Sequence, residues 1–241
     1  MIERTISINT QIETLNKSRL GVSNGLVWGG AVYEEKYLST SPRVLFLLKE
    51  SNCQNPGEVW GLPWHLRNQV EGVIDGPQTA PVFYNIWKSV GCMMASLAYP
   101  MRDFKEISSH GSKHFNDICK EGLSKVSVLN IKKTPGTSES KPSVLREYIS
   151  IPANYDLLIE EIDLLEPELV VCGGTYDFLK GASTNVSERI GTTGARYMII
   201  PRCDSVFLDF PHPSIRGIRR NVLYTYLQCV YFFDIKSGKF E

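Results

Sequence analysis

The sequence lacks any charge imbalance. Twenty-six basic and 26 acidic side chains give a formal net charge of zero, with an isoelectric point near 6.9. Bulk electrostatics therefore predict no polyanionic partner, and basic groups that serve one must be gathered locally. The six cysteines, Cys53, Cys92, Cys119, Cys172, Cys203 and Cys229, form no CxxC pair and no His/Cys spacing that suits zinc. Several lie in apolar runs such as "VVCGG", where a buried thiol is the natural reading. A reducing, cytoplasmic setting without metal is expected. The opening "MIERTISINTQIETLNKSRL" carries charges and no apolar core, so it is not read as a signal peptide. Apolar runs stay far below a membrane span, which leaves no membrane partner. No Walker-type loop and no GxGxxG follows any strand, which argues against a nucleotide-binding enzyme of that kind. There is no internal repeat and no low-complexity tail.

What is present is enough apolar content to build a large core, 42% of 241 residues. "RVLFLLK", Arg43 to Lys49, is a nearly continuous apolar run, the mark of a strand buried on both faces. "KVSVLNI", Lys125 to Ile131, and "ELVVCGG", Glu168 to Gly174, read the same way. "YMIIP", Tyr197 to Pro201, and "SVFLDF", Ser205 to Phe210, supply one or two more strands. Helical spacing fills the gaps in "APVFYNIWKSVGCMMASLAY", "VLREYISIPANYDLLIEEIDLLEP" and "IRRNVLYTYLQCVYFFDI". Strands alternating with helices predict an α/β sandwich with a mainly parallel sheet. One domain over residues 1–241 is expected, with 1–40 as a helical extension packed on it. The polar run Thr134 to Ser143 is the clearest loop.

In such sheets ligands bind beyond the carboxyl ends of the strands. The residues leaving the strands are "KESNC", "NIKKTPG", "GGTYDF" and "PHPSIRG". Asn130 offers a donor and an acceptor that suit a pyrimidine edge, or it caps its own turn. Glu50 orients a water or bonds a ligand, or it is a surface carboxylate beside Lys49. His212, between two prolines, donates to developing negative charge, or it packs against a carbonyl. Ser214 reads as a phosphate contact, as an N-cap at the start of the last helix, or as both. Arg216, Arg219 and Arg220 lie in an acid-free stretch from Phe210 to Phe233, and Lys132 and Lys133 leave the second strand on the same expected rim. Together they form either a local basic patch or a solvated face. Trp60 and Trp64 are core residues or platforms for a base, a stack that contributes roughly 1–3 kcal/mol.

Taken in order, these motifs resemble the uracil-DNA glycosylase superfamily over roughly Arg43 to Arg220. "FPHPSIRG" is similar to its histidine–proline–serine motif. "VSVLNIKKTPG" resembles the thermostable bacterial branch, in which a strand ends in the Asn that reads the flipped base. "FLLKESN" falls where the first motif lies, with Glu50 at its second position, and "GLPW" puts Trp64 where a phenylalanine stacks on the base. The departures are specific. Lys49 replaces a glycine, Ser51 takes the place of a water-activating Asp or Asn, Asn52 replaces a proline, and Cys53 replaces a tyrosine that walls off bulky bases. Thr134 stands where one cysteine of that branch's iron–sulfur cluster would be, so no cluster and no other cofactor is expected.

The resemblance implies a three-layer α/β/α sandwich and hydrolysis of the N-glycosidic bond of a flipped nucleotide. Glu50, Ser51 and His212 would be catalytic. Asn130, Trp64 and Asn52 would hold the base. Ser214, Arg216, Arg219, Lys132 and Lys133 would bind DNA phosphates, with Ile215 or Arg216 filling the space that the base leaves. The expected protein is a monomeric, monofunctional DNA glycosylase acting on uracil or a modified pyrimidine, including a bulky modified cytosine in phage DNA as an antiviral defence. The alternative is a catalytically silent relative that binds DNA or a protein partner.

Overall fold

A computed structural model describes residues 6–21, 25–51, 59–71, 81–98, 103–109, 112–136, 140–215 and 217–238. Its elements are α1 (Ile8–Leu20), β1 (Leu26–Trp28), β2 (Gly30–Ala31), α2 (Glu34–Leu38), β3 (Val44–Leu48), β4 (Val59–Gly61), α3 (Leu62–Glu71), α4 (Pro81–Ala98), α5 (Phe104–Ser109), α6 (Ser112–Leu123), β5 (Ser127–Asn130), α7 (Pro142–Ser150), α8 (Pro152–Leu165), β6 (Leu169–Gly173), α9 (Tyr176–Ala182), β7 (Ser187–Ile190), β8 (Arg196–Ile199), β9 (Val206–Phe210) and α10 (Arg220–Val230), with a π-helical turn over Tyr231–Ile235.

Among the described residues, seven strands form one sheet in the order β2-β5-β3-β6-β9-β8-β7, and β1 and β4 pair separately. The centre, β5-β3-β6-β9, is parallel. Both edges are antiparallel, through β2 on one side and β8 and β7 on the other. The sheet is therefore mixed, which corrects the expectation of a mainly parallel one. The cause is local: "YMIIP" turns back against β9 as a neighbour, and β7, exposed and polar, escapes the apolar-run criterion.

The central strands read as apolar runs because both faces are covered. Val44, Phe46 and Leu48 point into one core with Val128, Val171 and Leu208, against Trp87, Met93 and Leu227 of α4 and α10. Leu45 and Leu47 point the other way, with Leu129, Val170 and Phe207, against Ile12, Leu158 and Ile162 of α1 and α8. Each fully buried side chain of this size contributes about 1.5–3 kcal/mol, so the alternation within β3 holds both helical layers to one sheet.

Helical spacing over residues 144–167 produces two helices rather than one. Ile151, extended at φ −73° and ψ 118°, ends α7 and precedes Pro152 at the start of α8. Proline disfavours α geometry in the residue before it and is itself well suited to a first helical turn. Residues 1–40 are only partly the helical extension that was expected. Among its described residues α1 packs on α8, where Arg19 pairs with Glu160 at 2.9 Å, while β2 joins the main sheet at its edge. No helix among the described residues is long and apolar enough to cross a membrane.

Candidate functional site

The carboxyl ends of β5, β3, β6 and β9 form one rim, and Glu50, Ser51, Asn130 and His212 fall along it. Beyond the strands the β3–β5 ladder continues: Ile131 N–H donates to the Leu48 carbonyl at 2.8 Å, and Lys132 N–H to the Lys49 carbonyl at 3.0 Å. That continuation holds the two exit loops side by side. Asn130, 4% exposed, donates from Nδ2 to Oγ of the buried Ser51 at 2.7 Å. One amide proton is thus used within the protein. Because Ser51 Oγ accepts this bond, its own hydroxyl proton is free to point elsewhere.

Glu50 sits beneath the second loop. Lys132 Nζ lies 2.7 Å from Glu50 Oε2 and also donates to the carbonyls of Thr134 and Pro135 at 3.3 and 3.0 Å. Gly136 N–H donates to the Ser51 carbonyl at 2.8 Å, and a Cβ at Gly136 would collide with the Glu50 carboxyl. With glycine at 136 the loop closes over the carboxylate, and a side chain there would force Glu50 or the loop to shift. Lys132 is therefore turned inward as the partner of Glu50, a correction to its expected phosphate contact. Lys133 is a stronger correction: it is 1% exposed. Its ammonium pairs with buried Glu161 of α8, whose other oxygen accepts from Asn16 Nδ2 of α1 at 2.7 Å. Successive residues on an extended exit segment point to opposite sides, so one lysine faces the rim and the other faces the core.

At the end of β9 the prolines on either side of His212 hold a turn, in which Ile215 N–H donates to the His212 carbonyl at 2.8 Å. Ser214 N–H donates to His212 Nδ1 at 3.2 Å, and Ser214 Oγ lies 2.7 Å from the same atom. A backbone N–H can only donate, so Nδ1 is the acceptor and the neutral ring carries its proton on Nε2. Burial pushes the His212 pKa down to about 4, with the nearby Lys49 charge acting in the same direction. At neutral pH the group is an uncharged imidazole with its proton on the far side of the ring from Ser214.

β6 separates the Glu50 and His212 ends. With strands ~4.8 Å apart, β3 and β9 are about 10 Å from one another. The glycines closing β6 let their neighbours lean across. Gly174, at φ +66°, leaves a Cβ position only 3.3 Å from Lys49 Cε and 3.5 Å from His212 Cβ. Lys49 thus passes over Gly174 toward the histidine. Its place in the site was not foreseen; the signal was a lone lysine leaving an apolar strand. Gly136 gave only a Pro-Gly turn signal.

The remaining calls divide. Asn52 and Arg216 lie outside the described residues, as does Cys53. Ser214 does not cap the last helix: α10 begins at Arg220 with Arg219 at its N-cap position. Arg219 is exposed, while Arg220 donates from Nε to Ser89 Oγ at 3.2 Å. Trp64, 64% exposed on the first turn of α3, lines an open groove of about 900 Å³ with Trp28, Tyr33, Trp60 and Arg67. Glu50, Asn130 and His212 are not among the residues of that groove, so Trp64 is not brought together with them. Among the described residues no cluster of three or more His, Cys, Asp or Glu is placed to hold a metal ion. No known family model and no curated protein matches the chain.

Proposed function

We propose that the chain is a monofunctional DNA glycosylase of the uracil-DNA glycosylase type, hydrolysing the N-glycosidic bond of a flipped uracil or modified pyrimidine. The observation that carries this reading is the neutral His212 with Nδ1 occupied, on the same sheet rim as Asn130. Base release leaves negative charge on the pyrimidine, and a fixed N–H donor stabilises that charge without reorganising. Nε2–H of His212 is such a donor, and the Lys49 ammonium adds a positive charge on the same side. Asn130 Oδ1 suits the N3–H of uracil or the N4–H of a cytosine, and the Nδ2 bond to Ser51 fixes the orientation of the carboxamide.

The sugar passes through an oxocarbenium-like state that needs nearby negative charge and a positioned water. Glu50, neutralised in part by Lys132, supplies the charge, and the Ser51 hydroxyl holds the water. With one oxygen held by Lys132, the carboxylate contributes electrostatically. Arg219 and Ser214 are the described groups left to contact phosphate. A bulky modified cytosine, as in phage DNA, fits the substrate class because the first motif departs from the family at Lys49, Ser51, Asn52 and Cys53.

The test is incubation of the purified chain with duplexes carrying uracil or modified cytosines, followed by alkali to cut at abasic sites. Strand cleavage that is lost in His212→Ala and Asn130→Ala supports the reading. No cleavage on any of these substrates overturns it. The Glu50–Lys132 pairing favours the second reading, a silent DNA-binding relative, for which salt-sensitive DNA binding without product is the expected result.

A further inference from the structure

Away from the rim, α4 and α6 cross with their backbones in contact. A Cβ at Gly91 would collide with the Cys119 carbonyl, and one at Gly122 with the Gly91 carbonyl. At this crossing Cys92 and Cys119 are 0% and 4% exposed, and both are free thiols. Both side chains belong to one buried cluster with Phe115 and Tyr224, within hydrogen-bonding reach of one another.

The two thiols are unequal. The Cys92 hydrogen bond holds the Cys119 thiol below its usual range against the opposing effect of burial, and the positive charges of Lys88 and Arg220 add to it. Cys92 is raised, first by that bond and then by its own burial. Cys119 also lines a small cavity of about 40 Å³ with Trp87, Lys88 and Lys120. One water-sized molecule needs only about 10–15 Å³ of such space, so a small oxidant has room beside Cys119. The Lys88 ammonium, 5.0 Å from the Phe115 ring centroid, borders the same site.

We propose that Cys92 and Cys119 are a peroxide-reactive dithiol, with Cys119 attacking and Cys92 resolving to form a disulfide between α4 and α6. The Cys119 thiolate attacks one oxygen of hydrogen peroxide, the O–O bond breaks, and the departing hydroxide leaves as water after taking a proton. Cys119 is then a sulfenic acid. The Cys92 sulfur attacks the Cys119 sulfur, the S–O bond breaks, and the Cys92 proton leaves with the hydroxyl as a second water. The two thiols together lose two electrons, and one peroxide is reduced. Thiols in contact between backbones packed this closely need little movement to reach disulfide geometry, with Cβ atoms ~3.8 Å apart. In a reducing compartment such a bond is transient.

The experiment is peroxide titration of the full chain, denaturation, capping of remaining thiols with N-ethylmaleimide, and peptide mass mapping. A Cys92–Cys119 linked peptide lacking two hydrogen atoms and split by dithiothreitol is expected, at peroxide doses that leave buried Cys172 capped. Recovery of both peptides capped at doses that oxidise the half-exposed Cys229 would overturn the proposal. So would linkage of Cys119 to any other cysteine. In Cys92→Ala the linkage is lost and Cys119 is expected to be trapped by dimedone as a sulfenic acid. The wild-type map decides the question by itself where that variant does not fold.

Discussion

Lys132 donates to Glu50 at 2.7 Å from one loop while the backbone of the same loop, through Gly136, caps the Ser51 carbonyl. The lysine therefore belongs to the carboxylate. Lys132→Met leaves a largely buried charge without its partner, and breaking such a pair costs roughly 3–5 kcal/mol when fully buried. We expect a lowered urea midpoint together with slower base release. The salt dependence of DNA binding is expected to be unchanged, because Lys132 touches no phosphate. A flatter salt slope in this variant would return the residue to the DNA interface.

Arg219→Ala is the contrasting substitution. Its side chain is exposed at the start of α10. On the proposed function it neutralises one phosphate, so the slope of log K against log salt should become shallower by about 0.9. Stability should be nearly unaffected. Filter binding across a salt series reads the slope directly.

Gly136→Ala tests the loop over Glu50. The added methyl has no room beside the carboxyl, so either Glu50 or the loop must shift. Loss of base release with DNA binding retained is the expected pattern. A variant with full activity would show that the position of Glu50 is not needed.

His212 sets the response to acid. Its folded pKa of about 4 lies below the ordinary 6.5, so the folded protein resists protonation there. That contribution to stability is complete above about pH 6.5 and is lost as the pH falls through about 4. Activity that depends on the neutral ring should show no inflection near 6.5 and should fall only toward pH 4. His212→Ala should lower kcat by roughly 10²–10³, the usual loss for one preorganised donor, with a small change in KM. An acid limb near 6.5 in the wild-type profile would contradict the neutral-donor role.

Lys133 and Glu161 are both fully buried, and burial pushes the lysine down and the glutamate up while their attraction opposes it. Removing one partner, as in Glu161→Ala, should cost about 3–5 kcal/mol by urea unfolding, whereas replacing both with apolar residues should be far milder. The pair fastens the loop after β5 to α8, and Asn16 extends it to α1, so the single variant should also loosen the amino-terminal helix in hydrogen exchange.

Much of the fold was legible because the central strands need apolar residues on both faces, and helices need their 3.6-residue period. The runs at β3, β5, β6 and β9 announced themselves, and so did the residues leaving them. The short strands β1, β2 and β4 and the polar edge strand β7 carry too few constrained positions to announce themselves. Neighbouring side chains are harder still. Lys132 and Lys133 are chemically identical in a one-dimensional reading. Which of them faces Glu50 and which faces Glu161 depends on the direction of one extended segment between two layers. Ser214 read as a phosphate contact, a helix cap or both, and only the tertiary structure shows that α10 begins later, at Arg220, while Ser214 bonds the histidine.

By itself, the sequence determined an α/β sheet with polar groups at the carboxyl ends of its strands, because hydrophobic periodicity and proline geometry are local. The tertiary structure decided the partners: Ser51 with Asn130, Lys132 with Glu50, Lys49 beside His212, and Cys92 against Cys119. Those relationships join residues far apart in the chain. Their energies come from burial and proximity, which exist only once the layers have packed.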